Sequence, residues 1–372
     1  MSRASLLIAL GVCLALPVRA QQSGVLLGIA GASTSAETET QDFATIHAPS
    51  YKTFWIARDR SGKLGVLATF PELVVPRRNG FWHAGVAQVC EFADNNESLR
   101  QVVWAAPVAQ PGEVDQRNGP CTEHKPEDYA PLFGRSEADS GKISQCGFEL
   151  VNILYLSPEL ISSSTYSGQS EDCEARGGRY MLDFSVRRLN SAEPVRFADL
   201  LGAKAKLAYA AALPKQGRDD GGEECGESLE NDDSGWRVEH KRGRWRPYLH
   251  QDLGYFGCSV DAPVAVALPG ALTGDAPAVP DWKALQDKLP GAADVFVSPA
   301  GDLLVASSHS EICFYELRSG VPGKVLLKLP AAGVVMVQWA TGSHVHDWTE
   351  QLGKLAAQHP PKPVVRVKPS NQ

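Results

Sequence analysis

After its first twenty positions the sequence has no run of about 20 apolar residues, and it has no C-x-x-C pair anywhere. The first absence argues against a membrane-spanning helix, which needs that length. The second weakens paired-thiolate metal sites and thioredoxin-like redox chemistry. G-x-S-x-G, H-E-x-x-H, G-x-x-x-x-G-K and G-x-G-x-x-G are missing as well, so no nucleophile elbow, zincin helix, phosphate loop or dinucleotide fingerprint is written locally. A fixed repeat is also lacking. The turn-to-strand stretches at Asn79-Gly80, Arg242-Gly243 and Ala300-Gly301 are unequally spaced and do not support a propeller of regular blades.

What is present begins with MSRASLLIALGVCLALPVRAQQ. A basic residue (Arg3) precedes an apolar core from Leu6 to Leu16, and Val18-Arg19-Ala20 offers small residues for cleavage. This is the layout of a secretory signal peptide, and its apolar core is too short to span a bilayer. Removing residues 1–20 takes two arginines from the 36 basic side chains and moves the formal net charge from −7 to −9. An acidic balance of this size disfavours nucleic acid and anionic lipid as partners. The expected location is secreted or periplasmic, with no membrane span.

Seven cysteines then remain: Cys90, Cys121, Cys146, Cys173, Cys225, Cys258 and Cys313. In an oxidising compartment all seven are candidates for a disulfide framework. The odd number leaves one thiol free or intermolecular, and spacing alone does not choose the pairs. Cys121 and His124 supply two metal ligands, but nothing nearby completes four. No cofactor and no metal is expected.

The chain from 51 onward reads as hairpins. TFWIAR and LGVLATF flank DRSGK, and ELVVP and FWHAGVA flank RRNG, where glycine supplies the positive φ of a tight turn. Further strands are expected in VLLGIA, FELVNILYLS, RYMLDFSVRRL and WRVEHKRGRWRPYLH. The clearest sheet signal is the series DVFVS, DLLVAS, ICFYEL, KVLLKL and GVVMVQWA. FADLLGAKAKLAYAAAL at 197–213 has helical composition, weakened at Gly202, and Asp281 is placed to cap WKALQDKL. The fold class expected is α+β, mainly antiparallel sheet with a few short helices. The expected organisation is a hairpin-rich region at 21–135, an α+β region at 136–358 and a disordered, proline-rich tail at 359–372.

Four constellations invite a chemical reading. In GSHVHDW, His344, His346 and Asp347 resemble a metal clamp. Yet Ser343 is a good N-cap, and Val345, Trp348, Leu352 and Leu355 fall on one helical stripe. On that helix the two imidazoles point about 200° apart, while Asp347 is expected in the first turn, favoured by the helix dipole. The stretch is read as a helix start. DDGGEECGESLENDD, 219–233, carries the carboxylates Asp219, Asp220, Glu223, Glu224, Glu227, Glu230, Asp232 and Asp233, a possible calcium loop but of no EF-hand spacing. His83, His250 and His309 lie in or near expected strands, where each pairs with an Asp and a Ser only if the fold brings them together. Trp236, Trp245, Tyr248, Tyr255 and Phe256 form either a stacking surface or core.

One family resemblance stands on residues 154–202, LYLSPELISSSTYSGQSEDCEARGGRYMLDFSVRRLNSAEPVRFADLLG. A strand ending in Leu-Ser, an Ile-Ser-rich strand, a Gly-Gly before a long strand, and Ala198-Asp199-Leu200-Leu201-Gly202 opening a helix follow in order. This resembles the extracytoplasmic domain of lysozyme-sensing anti-sigma factors, found also on some peptidoglycan deacetylases. That family carries Gly-Gly-x-His where this chain has Gly177-Gly178-Arg179-Tyr180. The resemblance implies an α+β fold and a wall-facing binding role, without catalytic residues.

Together these observations lead to the expectation of an exported, non-enzymatic binding or envelope-associated protein with a protein, peptide or glycan ligand. Two alternatives remain: a secreted hydrolase whose His, Asp and Ser are dispersed in sequence, and a calcium-dependent binder using 219–233.

Overall fold

The computed structural model describes residues 22–31, 48–93, 96–108, 147–169, 181–191, 193–213, 233–252, 259–273 and 282–358. The leader, the connection at 109–146, residues 219–232 and the proline-rich tail lie outside them. What is described is mostly strand, in four sheets whose pairings are almost all antiparallel.

The first sheet contains β1 (Ser23–Ala30), β2 (Tyr51–Arg58) and β3 (Leu64–Phe70), with the late strand β17 (Gly333–Thr341) added beside β1. The second holds six strands: β4 (Leu73–Arg77), β5 (Gly80–Ala93), β6 (Asn96–Pro107), β7 (Gly147–Leu156), β8 (Leu160–Gln169) and β9 (Met181–Arg188). Its β6–β7 pairing is parallel and short, with Leu99 opposite Phe148 and Arg100 opposite Glu149. The third sheet is β10 (Trp236–Lys241), β11 (Arg244–Asp252) and β12 (Ser259–Pro263); the fourth is β13 (Asp294–Val297), β14 (Leu303–Ser307), β15 (Glu311–Arg318) and β16 (Val321–Pro330). Segments on both sides of position 135 therefore share the second sheet, and β17 pairs with the N-terminal β1.

Turn chemistry explains the hairpins. Arg242 and Gly243 have φ of 53° and 75°, and Ser319 and Gly320 have 51° and 75°. Two successive positive values give the two-residue turn whose twist matches the flanking strands. In DRSGK the Asp59 carboxylate accepts the N–H groups of Ser61 and Lys63, folding the loop with its own side chain.

The expected helix at 197–213 is two helices, α1 (Phe197–Leu201) and α2 (Ala203–Ala212), because Gly202 between them sits at φ 84°. Helices α3 (Gly270–Thr273), α4 (Trp282–Lys288) and α5 (Ser343–Gln358) follow. Helix α5 starts where GSHVHDW predicts, after Gly342 at φ 59°. Val345 and Trp348 turn toward the core, Leu352 and Leu355 are buried, and His344 and His346 are exposed. One detail is corrected: because Ser343 itself is helical, Asp347 lies beyond the first turn, which holds no acidic residue. No helix among the described residues is long and apolar enough to cross a membrane.

Apolar seams join the sheets in cyclic order. Leu26, Trp55 and Phe70 of the first sheet meet Val74, Val103 and Ile153 of the second, covered by Leu352 and Leu355 of α5. Tyr155 and Val186 of the second meet Trp236 and Leu249 of the third, with Phe197 and Tyr209 from α1 and α2. Trp245 of the third packs also against the seam in which Phe296 and Phe314 of the fourth meet Leu27, Ile56 and Val337 of the first. Period-2 alternation makes this possible: Leu26 faces one seam, while Val25 and Leu27 face the other. Burying each large side chain contributes roughly 1.5–3 kcal/mol.

Candidate active site

Between the four sheets lies a cleft of about 550 Å³, within the range of small-molecule sites. All four sheets contribute. Leu154 comes from β7, Glu239 and His240 from β10, Asp294 and Phe296 from β13, and Gly333 and Val334 from β17. Ser307, Ser308 and His309, where β14 turns toward β15, complete the polar side.

His240 occupies the end of β10, just before the Arg242-Gly243 turn. Its Nδ1 lies 2.5 Å from Asp294 Oδ2. A carboxylate only accepts, so Nδ1 carries a proton, and in the neutral form of the ring the lone pair is on Nε2. Among the described residues Nε2 has no hydrogen-bond partner, and His240 lines the cleft. The ring is fixed by packing as well: it stacks on Phe296 at 4.0 Å and meets the edge of Trp245 at 4.5 Å. Trp245 in turn abuts Tyr155 of β7 at 4.4 Å.

The Asp294 carboxylate is equally constrained. Its Oδ1 accepts the N–H of Gly243 at 2.7 Å and that of Val295 at 2.8 Å. Side chains of His240 and Asp294 are 7% and 14% exposed, so the pair is shielded from bulk water, and both residues line the cleft. Ser307 stands directly opposite Asp294 across β13–β14, which puts its hydroxyl on the same face. Ser308 serves the turn: its Oγ accepts from Ser310 and Glu311 N–H and donates to the Glu311 carbonyl. The exposed His309 rides on that fixed turn.

Other expected site residues take structural places. His83 is buried against Glu72, Nδ1 to Oε1 at 2.5 Å, and does not line this cleft. His250 is buried edge-on to Phe184 at 4.6 Å. Nearby, Arg237 binds Asp261 through both terminal nitrogens and Glu239 through Nε. Burial alone would raise the Asp261 carboxyl, but His250 and Arg237 outweigh it and hold Asp261 well below the usual carboxylate range. His250 Nδ1 is 3.9 Å from Asp261, beyond hydrogen-bond reach, so the two direct Arg237 bonds dominate.

Of the aromatic cluster, Trp236 is fully buried, with its Nε1 donating to the Val195 carbonyl, and Tyr248 lies against Arg237. Those positions are packing; Tyr255 and Phe256 lie outside the described residues. Of the acidic stretch only Asp233 is described, and it accepts the Ala198 N–H through Oδ2 and the Phe197 N–H through its carbonyl, fastening α1. Cys313 on β15 is a buried free thiol and not half of a disulfide. Its burial, with Glu311 accepting from the sulfur, raises the thiol further. The side chains of Cys90, Cys121, Cys146, Cys173, Cys225 and Cys258 lie outside what is described, as does Gly177-Gly178-Arg179-Tyr180.

His240 and Asp294 were not singled out by sequence reading. The sole local signal was the hairpin WRVEHKRGRW, which places His240 beside a tight turn.

No family model and no curated protein matches the chain. Among solved structures it is similar to a Bacteroides uniformis protein provisionally named a 6-phosphogluconolactonase, at 10% identity over 87% of this chain and 100% of that one, with a TM-score of 0.22. It is similar to the periplasmic gluconolactonase of Pseudomonas aeruginosa at 10% identity, covering 86% and 99% of the two chains, TM-score 0.23. The expectation of a non-enzymatic binding protein is corrected by the cleft itself, which gathers a histidine paired to an aspartate and a serine that are dispersed in sequence.

Proposed function

We propose that the chain is an exported hydrolase, acting on a carboxylic ester in the cleft, with His240 as general base and Asp294 as the group that orients it. The observation that carries this reading is the pairing of Nδ1 with Asp294 in a histidine that lines the cleft, its Nε2 without a hydrogen-bond partner among the described residues. A water held by Nε2 loses a proton to it while its oxygen attacks the substrate carbonyl. The imidazolium that forms is stabilised by the Asp294 carboxylate, and its Nε2–H then passes the proton to the departing alkoxide. Water and ester become acid and alcohol, with His240 restored. The carboxylate cannot swing away, because Gly243 and Val295 hold its other oxygen.

The leader-like segment at 1–20 supports a secreted or periplasmic location. The four sheets, joined by seams in cyclic order and closed by β17 beside β1, support an irregular β-propeller with unequal blades. A site at the convergence of the inner strands fits that architecture.

The test is turnover. Purified protein is assayed on soluble esters and lactones beside a His240→Gln variant of unchanged melting temperature. Hydrolysis by the wild type that is lost in the variant supports the reading; an inactive wild type, or an equally active variant, overturns it.

A further inference from the structure

Leu154 is placed in the cleft by an irregularity of β7. Along the β7–β8 ladder Ile153 faces Ser163, but Tyr155 faces Ser162, so three residues on β7 oppose two on β8 and Leu154 is the extra one. A bulge of this kind bends the strand and re-aims the side chain it leaves unpaired. Here its neighbours go to different seams. Ile153 packs between the first and second sheets, and Tyr155 between the second and third. Between them Leu154, half-buried, turns to the cleft.

On this side the cleft is apolar and narrow-chained. Strands β7 and β17 touch, and the segment entering β17 adds Ala331, Ala332 and Val334 to the wall begun by Leu154. The other side carries His240, Asp294, Ser307 and His309. Two carboxylates, Glu239 and Asp294, line the cleft, and among the described residues no lysine or arginine does. An acyl group bearing a carboxylate or phosphate would meet like charge with no cation to receive it.

Resting on the hydrolase reading above, we infer that Leu154 is a specificity-determining residue and that the substrate is an ester with a short, uncharged alkyl acyl chain. The chain lies along Leu154, Ala332 and Val334, and this directs the ester carbonyl toward His240 Nε2.

The experiment uses two homologous series on the whole protein. One is the hydrolysis of acetate through hexanoate esters of a single alcohol. The other is calorimetric binding of acetamide through hexanamide, which the protein need not turn over. In the wild type both kcat/KM and affinity rise, by up to about fourfold per methylene, until the wall is filled. Leu154→Ala flattens both series, and Leu154→Trp moves the optimum to shorter chains. Ala332→Leu, at a half-buried position, should also shorten the preferred chain and keeps the test open should the Leu154 variants fail to fold. Ester turnover whose chain-length dependence is the same in all variants overturns this inference and leaves the hydrolase reading standing. Absent turnover, with amide binding that still follows chain length and Leu154, overturns the hydrolase reading and leaves the apolar subsite standing. Flat amide binding with no turnover ends both.

Discussion

His240 Nδ1 and Asp294 Oδ2 meet at 2.5 Å although 54 residues separate them in the chain, one near the end of β10 and the other opening β13. The contact ties the edge of the third sheet to the edge of the fourth. Its carboxylate also receives the Gly243 N–H from the β10–β11 turn, so one side chain fixes a hairpin and an imidazole together.

Asp294→Ala should therefore destabilise the fold as well as the site. It leaves the Gly243 N–H and the His240 ring without their acceptor, a loss of about 1–3 kcal/mol for a shielded polar group. Asp294→Asn should cost less, since its amide oxygen still receives Gly243, yet its NH2 faces Nδ1 and favours the wrong tautomer. Urea unfolding of the three proteins should rank stability as wild type, Asn, Ala; equal midpoints would show that the carboxylate does not hold the turn.

Gly24→Ala should destabilise through overpacking. A Cβ at Gly24 would lie 2.4 Å from Trp55 Cη2 and 2.9 Å from Cζ2. The Trp55 ring is fully buried, meets Trp348 at 5.6 Å, and donates from Nε1 to Thr349 Oγ1, so it has little freedom to step aside. A cost of about 1–3 kcal/mol is expected, visible as a lowered melting temperature; an unchanged one would mean that β1 shifts freely against β2.

Acid should weaken the junction of β10 and β12. Asp261 is held below the ordinary aspartate value in the folded protein, against burial, by His250 and above all by Arg237. The folded state thus binds a proton at Asp261 less readily than the unfolded chain. Its contribution is complete above the unfolded value of about 3.9 and is lost as pH falls from there toward the folded value. The carboxylate is 48% exposed, so solvent screening keeps the effect modest. Melting curves from pH 6 to 2 should show an acid-limb loss that is shallower in Asp261→Asn; identical slopes would remove Asp261 from the acid response.

The hairpins were legible because their signals are local. LGVLATF is β3 residue for residue, and the strands of the fourth sheet follow DVFVS to KVLLKL. Helix α5 was legible from the stripe through Trp348 and Leu352. The Arg242-Gly243 turn also announced itself, but not its partner: Gly243 N–H meets Asp294 only after the third and fourth sheets pack. Strand β6 was hidden next to a polar, proline-rich connection, and its parallel pairing with β7 has no sequence mark. The site was invisible for the same reason. His83, His240 and His250 are each flanked by strand residues, and two of them sit beside a carboxylate at 2.5 Å. What separates His240 from His83 is the cleft, formed by four sheets converging, which no window of sequence records.

A double-mutant cycle in kcat/KM tests most directly whether His240 and Asp294 act as one unit on the ester that the wild type turns over best. Loss of a positioned general base costs about 10²–10⁴-fold, and residues that act as a unit lose little more when both are removed than when one is. The account predicts such a loss for His240→Gln, a comparable one for Asp294→Asn, and no further fall in the double variant. Losses that multiply, or a His240→Gln enzyme as fast as the wild type, would contradict it.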